Sequence, residues 1–107
     1  MTFDEYVALA ARTDSNAGDA LVVAALGLAG EAGEFADRVK KIVAQGHALD
    51  RDALVDEAGD ILWYLAKAAR ALDISLEEVA RRNGAKLAAR YPEGFAVARS
   101  LARAAGE

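Results

Sequence analysis

Two matched pairs of acidic residues, Glu31 with Glu34 and Glu57 with Asp60, are the feature of the sequence that most directly suggests chemistry. Each pair is spaced i, i+3 and encloses an Ala-Gly dipeptide, so on a helix both side chains of a pair share one face. A glycine inside a helix costs roughly 1 kcal/mol relative to alanine. The glycines that accompany the acids therefore indicate close approach of another helix or of a ligand: Gly27, Gly30, Gly33 and Gly59.

The four acids border apolar positions that should form a helix-packing seam. If the two helices pack along this seam, the carboxylates converge, and their repulsion must be relieved by protons or by cations. A ligand set made only of oxygen atoms suits Mg²⁺, with Mn²⁺ as a second option. The alternative is an ordinary solvated face, on which Glu34 pairs with Arg38 at i, i+4.

A di-iron carboxylate bundle is a weaker interpretation of the same acids. Such bundles carry Glu-x-x-His pairs, whereas the only histidine of the chain, His47, follows Gly46 in a predicted loop. We therefore expect His47 to be a solvent-exposed loop residue and not a metal ligand.

Local signals predict an all-α chain, with four helices packed as a bundle and a short C-terminal helical segment. Capping residues, glycines and the single proline place the helices at about 3–12, 20–45, 51–72 and 76–91, and the terminal segment at 95–104. The short connections predict antiparallel neighbours. The apolar period predicts the inward positions Leu21, Ala25, Leu28, Ala32, Phe35, Val39 and Ile42 on the second helix and Leu54, Ala58, Ile61, Leu65, Ala68 and Leu72 on the third.

Polar residues on one face of the fourth helix suit the binding of phosphate. Asn83, Lys86 and Arg90 follow the spacing i, i+3, i+7, and an amide with two cations can hold phosphate oxygens. The alternative is an ordinary charged outer face. On the second helix, Lys41 lies two turns after Glu34 and either reaches a phosphate tail or stabilises the end of the helix.

Two aromatic residues, Trp63 and Tyr64, follow Asp60 by about one turn. Either ring offers a surface on which a nucleobase can stack. For Trp63 we weigh this role equally against a place in the core or in an oligomer interface.

Composition limits the classes of function. The chain has 107 residues, which suits one domain, and 54% hydrophobic residues, a high fraction that favours burial of surface in a homo-oligomer. It has no cysteine, no apolar run long enough to cross a membrane and no signal-peptide pattern at its start, so we expect a cytoplasmic protein without a membrane partner. The net charge of −4 argues against nucleic acid as a partner.

Three stretches, 26–41, 56–66 and 82–95, together resemble the MazG-like nucleotide pyrophosphohydrolases of the all-α NTP pyrophosphatase group. They read LGLAGEAGEFADRVKK, DEAGDILWYLA and RNGAKLAARYPEGF. The ExxE and ExxD motifs alone are short, but their combination with GDILWYLA and the NxxKLxxRYPxGF tail, in this order, is specific. The resemblance covers most of the chain, and the whole of residues 1–107 is predicted to be one MazG-like catalytic domain.

The resemblance implies a Mg²⁺-dependent enzyme that cleaves (d)NTPs to (d)NMP and pyrophosphate and clears non-standard or excess nucleotides. It implies metal binding at Glu31, Glu34, Glu57 and Asp60, and phosphate contacts at Asn83 and Lys86 with Arg90 and Tyr91 nearby. In the mechanism expected on this basis, Glu34 accepts a proton from the attacking water and Lys86 stabilises the developing negative charge. Gly30 stands where longer members of the family often have a further acid. Members of this size form dimers or tetramers.

Two other classes of function remain open from the sequence. One is a non-catalytic helical interaction or regulatory module, in which the acids form a solvated or partner-binding surface. The other is a related phosphohydrolase that acts on a different phosphorylated compound.

Overall fold

The structure, a computed structural model, describes residues 1–104. Regular secondary structure within these residues is entirely helical, which confirms the predicted all-α class. Five helices follow one another: α1 Phe3–Arg12, α2 Ala20–Gln45, α3 Arg51–Ala71, α4 Leu76–Arg90 and α5 Val97–Ala104. None of these helices is both long and apolar enough to cross a membrane.

The ends of α2 and α3 lie where the capping residues predict them. The carboxylate of Asp19 accepts the backbone N–H of Val22 at 2.9 Å, and that of Asp50 accepts the N–H of Ala53 at 3.1 Å. Each bond satisfies one of the N–H groups that the first turn of a helix leaves without a partner. Helix α2 ends at Gln45, and the φ of 71° at the following Gly46 lies in the left-handed region that glycine adopts without strain.

The chain divides into two compact units, Met1–Leu76 and a second unit that begins at Glu77. The first unit contains α1, α2 and α3. The second contains α5 and all of α4 except its first residue. The single catalytic domain expected from the sequence stays a prediction.

In the first unit, α2 and α3 pack as an antiparallel pair, and α1 packs on α3. Gly27 near the start of α2 faces Tyr64 in the second half of α3, whereas Arg38 in the second half of α2 bonds to Glu57 nearer the start of α3. The predicted antiparallel packing of these neighbours is therefore confirmed.

The core of the first unit is small and is built largely from alanine. Its buried cluster is formed by Ala10, Ala66, Ala69 and Leu76, with Tyr6, Val7, Leu62, Trp63 and Ile74 packed against it. On α2 the buried residue is Ala24. Because alanine has so small a side chain, this cluster buries little apolar surface within one chain.

The predicted inward faces of α2 and α3 are only partly correct. Half-buried positions include Leu28, Phe35 and Ile42 on α2 and Leu54, Ile61 and Ala68 on α3, whereas the others are exposed: Leu21, Ala25, Ala32, Val39, Ala58, Leu65 and Leu72. The contact of α2 with α3 includes Gly27, against which the ring of Tyr64 packs, so the face of α2 that meets α3 is rotated from the predicted stripe. Apolar residues at helical spacing identify a stripe along the helix, but they do not determine which positions of that stripe contact the neighbouring helix.

A buried ion network connects the segment after α1 to the second half of α3. Asp14 Oδ2 accepts hydrogen bonds from Lys67 Nζ at 2.6 Å and from Arg70 Nη2 at 2.8 Å, and the side chains of Asp14 and Lys67 are only 4% and 3% exposed. The pKa of Asp14 is held below its ordinary value, first by the bond from Lys67 and then by the backbone N–H of Asn16. Sequence reasoning missed this network, although a lysine on the apolar side of a helix signals a buried partner.

Candidate metal centre

Three of the four predicted acids lie together between α2 and α3. Glu31, Glu57 and Asp60 each offer one carboxylate oxygen, and these three oxygens lie within 4.8 Å of one another. Glu31 comes from the middle of α2, and the other two come from successive turns of α3. The antiparallel packing of the two helices brings these three acids together, whereas the sequence predicted that all four would converge.

The acid cluster, defined as Glu31, Glu57 and Asp60, concentrates negative charge between the two helices. The pKa of Glu31 is raised above its ordinary value, first by partial burial and then by the charges of Asp60, Glu57 and Glu34, in that order. Both causes oppose ionisation, because burial removes water and the neighbouring charges repel the carboxylate. A cation placed within the cluster would relieve the repulsion.

Arg38 contacts the acid cluster directly. Its Nε donates a hydrogen bond to Glu57 Oε1 at 2.9 Å, and the bond crosses from α2 to α3. This bond is also the first cause of the raised pKa of the Arg38 guanidinium. Sequence reasoning considered Arg38 only as a partner of Glu34 on the same helix, and spacing along one helix gives no signal for a partner on another.

The fourth predicted ligand, Glu34, lies outside the group of three oxygens. It is exposed and lines a neighbouring depression of about 460 Å³ that also includes Arg38 and the start of α3. Its charge contributes to the raised pKa of Glu31, one turn away. The structure therefore places Glu34 beside the acid cluster, where it can contact a group that extends from the cluster into the depression.

Lys41, predicted to contact phosphate, lines the same depression as Glu34. Its Nζ forms an ion pair with Asp37 Oδ2 at 2.9 Å. The depression also includes His47, which is exposed, as expected from the sequence. The di-iron interpretation gains no support, because His47 is not part of the acid cluster.

A second depression, of about 300 Å³, lies on the other side of the acid cluster and is lined by Glu31, Asp60, Trp63 and Tyr64. The two rings meet edge to face, with centroids 4.9 Å apart. Trp63 lines this depression and also packs against the buried alanine cluster, and its predicted stacking on a base stays a prediction. Its indole N–H donates to Thr13 Oγ1 at 2.9 Å, which orients the ring.

Among the glycines beside the acids, Gly27 explains the orientation of Tyr64. A Cβ atom at Gly27 would overlap the Tyr64 ring, whereas Cβ atoms at Gly30, Gly33 or Gly59 would meet nothing within 4 Å. The predicted close helix approach is thus confirmed for Gly27. At the other three positions the described residues leave open space.

Replacing Gly27 by alanine should displace the Tyr64 ring and lower the free energy of unfolding. We expect a loss of about 1–3 kcal/mol, the usual cost of forcing extra atoms into a packed contact. Gly30→Ala is the matched control, which should gain up to about 1 kcal/mol because alanine favours the helix and meets open space. Urea denaturation of both variants measures the difference, and equal stabilities would contradict this account of Gly27.

The predicted phosphate contacts lie in the second unit. Asn83, Lys86 and Arg90 are exposed on α4, at the helical spacing expected for one face. Helix α4 ends at Arg90, before Pro92, as predicted. Tyr91 follows it and packs on Phe95 with ring centroids 5.5 Å apart.

Comparison with known sequences identifies the family. A sequence model of the MazG nucleotide pyrophosphohydrolase domain matches residues 20–95. The chain belongs to the MazG nucleotide pyrophosphohydrolase family. It is also similar to the Gene 37 protein of Mycobacterium phage L5, with 40% identity over 85 residues that cover 76% of this chain and 75% of the phage protein. No solved structure matches the chain significantly.

The MazG match includes both acid pairs and the polar face of α4. The acid cluster of this MazG-family chain is chemically suited to a divalent cation, because three carboxylates supply oxygen ligands only. The raised pKa of Glu31 agrees with this, since partial burial and the neighbouring carboxylates both disfavour its ionised form, which a cation would favour.

Proposed function

We propose that the chain is a Mg²⁺-dependent nucleoside triphosphate pyrophosphohydrolase that converts (d)NTPs to (d)NMPs and pyrophosphate. The observation that carries this proposal is the convergence of Glu31, Glu57 and Asp60 within 4.8 Å at the seam of two helices, in a chain of the MazG family. Mn²⁺ would suit the same oxygen ligands.

The acid cluster would hold the cation, and Glu34 would act at its edge. Bound Mg²⁺ would supply positive charge to the triphosphate oxygens and lower the pKa of a water molecule. Glu34 lies outside the three converging oxygens, which favours its second proposed role, accepting a proton from the attacking water. The water oxygen bonds to the α-phosphorus, the bond from that phosphorus to the bridging oxygen breaks, and pyrophosphate leaves.

Other residues would hold the nucleotide. Trp63 would offer its ring to the base, because it lines the depression beside Glu31 and Asp60. Lys41 would bind the phosphate tail from the depression that it shares with Glu34. The family resemblance assigns further contacts with the substrate to Asn83, Lys86, Arg90 and Tyr91, with Lys86 stabilising the charge that develops on the phosphoryl oxygens.

Hydrolysis of a panel of NTPs and dNTPs in ¹⁸O-labelled water tests the reaction. We expect a nucleoside monophosphate and pyrophosphate, with the label in the monophosphate because attack occurs at the α-phosphorus. Label in the pyrophosphate would show attack at the β-phosphorus, and orthophosphate as the first product would show attack at the γ-phosphorus. Activity that survives EDTA would contradict the metal dependence.

We also propose that the chain works as a homodimer or homotetramer. Large apolar side chains remain exposed on α2, where Leu21, Val22 and Leu26 are 45%, 54% and 70% exposed, while the core of one chain is largely alanine. A second copy of the same chain would remove this surface from water. The mass of the particle in solution tests this proposal, and a monomer at micromolar concentration would contradict it.

The proposed role is clearance of non-standard or excess nucleotides in the cytoplasm. This role rests on the family resemblance. The nucleotide panel addresses it through kcat/KM, because a house-cleaning enzyme should prefer nucleotides that do not belong in nucleic acid synthesis.

A further inference from the structure

Arg38 forms an ion pair with a member of the acid cluster, and within residues 1–104 no other cationic side chain does so. The contact involves Glu57, whose side chain is 12% exposed, whereas the side chain of Arg38 is 49% exposed. The guanidinium thus reaches from a solvated position on α2 to the least exposed carboxylate of the cluster.

Arg38 pairs with Glu57 on the other helix although an acid on its own helix is also within reach. Glu34 lies one turn before Arg38 on the same helix, and a pair at i, i+4 on the surface forms with little rearrangement. Arg38 instead donates across the seam, from its Nε at 2.9 Å to Glu57 Oε1. A carboxylate has two oxygens, so this bond occupies one oxygen of Glu57 and leaves the other available.

We propose that Arg38 is a positioning residue of the metal centre, which fixes the carboxylate of Glu57 so that its second oxygen faces the cation. The proposal rests on the metal site of the proposed function. Carboxylates that bind metals are commonly held by such an outer hydrogen bond, and loss of the outer partner typically weakens metal binding about 10–100-fold.

The direction in which loss of Arg38 changes the affinity for the metal distinguishes a positioning role from that of a simple countercharge. A guanidinium near a cation site repels the cation, so removing its charge alone should strengthen metal binding. Loss of a positioning bond should weaken metal binding, because the Glu57 carboxylate is then free to rotate. An ion pair that only joins α2 to α3 would change the stability of the protein but not its affinity for the metal.

Calorimetric titration of the full chain with Mg²⁺, and with Mn²⁺, in the absence of nucleotide tests the proposal. We expect Arg38→Met to weaken binding about tenfold. Arg38→Lys keeps the charge and a hydrogen-bond donor, so it should recover part of the loss. Lys40→Met is the matched control, because Lys40 lies on the same helix with the same charge but pairs with Asp37 at 3.3 Å, and its affinity should stay close to that of the original chain.

The dependence of enzymatic activity on Mg²⁺ concentration provides a second measurement. For Arg38→Met, the Mg²⁺ concentration at half-maximal rate should rise about tenfold. If Arg38→Met does not fold, Arg38→Lys alone decides: weaker binding than in the original chain supports the proposal, and unchanged binding overturns it.

Unchanged or tighter metal binding in a folded Arg38→Met protein overturns the positioning role while leaving the proposed function intact. Failure of the proposed function itself would give a different result. If the original chain binds neither Mg²⁺ nor Mn²⁺, with or without a nucleotide, the metal site of the proposed function fails, and the role of Arg38 fails with it.

Discussion

Asp60→Asn is expected to lower pyrophosphohydrolase activity by about 100-fold or more and to weaken Mg²⁺ binding, without unfolding the protein. Asp60 offers one of the three converging oxygens, so its loss removes a proposed ligand. The fold should tolerate the change, because the side chain is exposed and because its charge contributes to the raised pKa of Glu31. Removing a repelling charge does not weaken the native state.

Asp56→Asn is the matched control for this prediction. Asp56 is an exposed acid on the same helix, it is not part of the acid cluster, and its replacement changes the net charge equally. Activity and Mg²⁺ affinity should stay within about twofold of the original values, since Asp56 offers no oxygen to the acid cluster and its charge faces water, where charges interact weakly. Full activity of Asp60→Asn, or an equal loss in both variants, would remove the metal-site assignment.

Glu34→Gln, measured in the same way, separates the two roles proposed for Glu34. A general base contributes typically 10²–10⁴-fold to the rate. If Glu34 is the base, kcat falls by about that factor while Mg²⁺ affinity is retained. If Glu34 is a ligand, both quantities fall together, as for Asp60→Asn.

Lys67→Met is expected to lower the free energy of unfolding by about 3 kcal/mol. Removing one partner of a buried ion pair typically costs about 3–5 kcal/mol, because the other charge stays buried. We expect a loss of stability at the lower end of this range, because Asp14 keeps its hydrogen bonds from Arg70 and from the N–H of Asn16. Urea denaturation measures the loss, and Lys40→Met, which removes an exposed ion pair, should cost less than about 1 kcal/mol.

The loss caused by Lys67→Met should shrink as the pH falls. The pKa of Asp14 is lower in the folded chain than its ordinary value of 3.8, so on acidification the unfolded chain takes up the proton first. The stabilisation from ionised Asp14 is complete above about pH 5 and disappears as the pH falls through the ordinary and then the lowered pKa. Denaturation at pH 7, 5 and 3 should show the largest deficit at pH 7. A constant deficit would contradict the role of Asp14.

Features that depend on neighbours along the chain could be predicted from the sequence. The starts of α2 and α3 follow from Asp19 and Asp50, whose side chains bond to N–H groups three residues ahead. The stop at Gly46 follows from its freedom to adopt positive φ. The i, i+3 acid pairs follow in the same way, because helical geometry alone places both members on one face.

Features that depend on contacts between helices required the tertiary structure. The rotation of α2 that brings Gly27 against Tyr64, and the partner of Arg38, are decided where two helices meet. Amphipathic spacing defines a stripe wide enough to permit several rotations, and packing selects one of them. The acid cluster depends both on spacing along the chain and on contacts between helices. The sequence determined which acids share a helix face. The packing of α2 on α3 decided that Glu31, Glu57 and Asp60 converge while Glu34 lies beside them. The physical reason is that only the crossing of two helices sets the distance between side chains that are far apart in the chain.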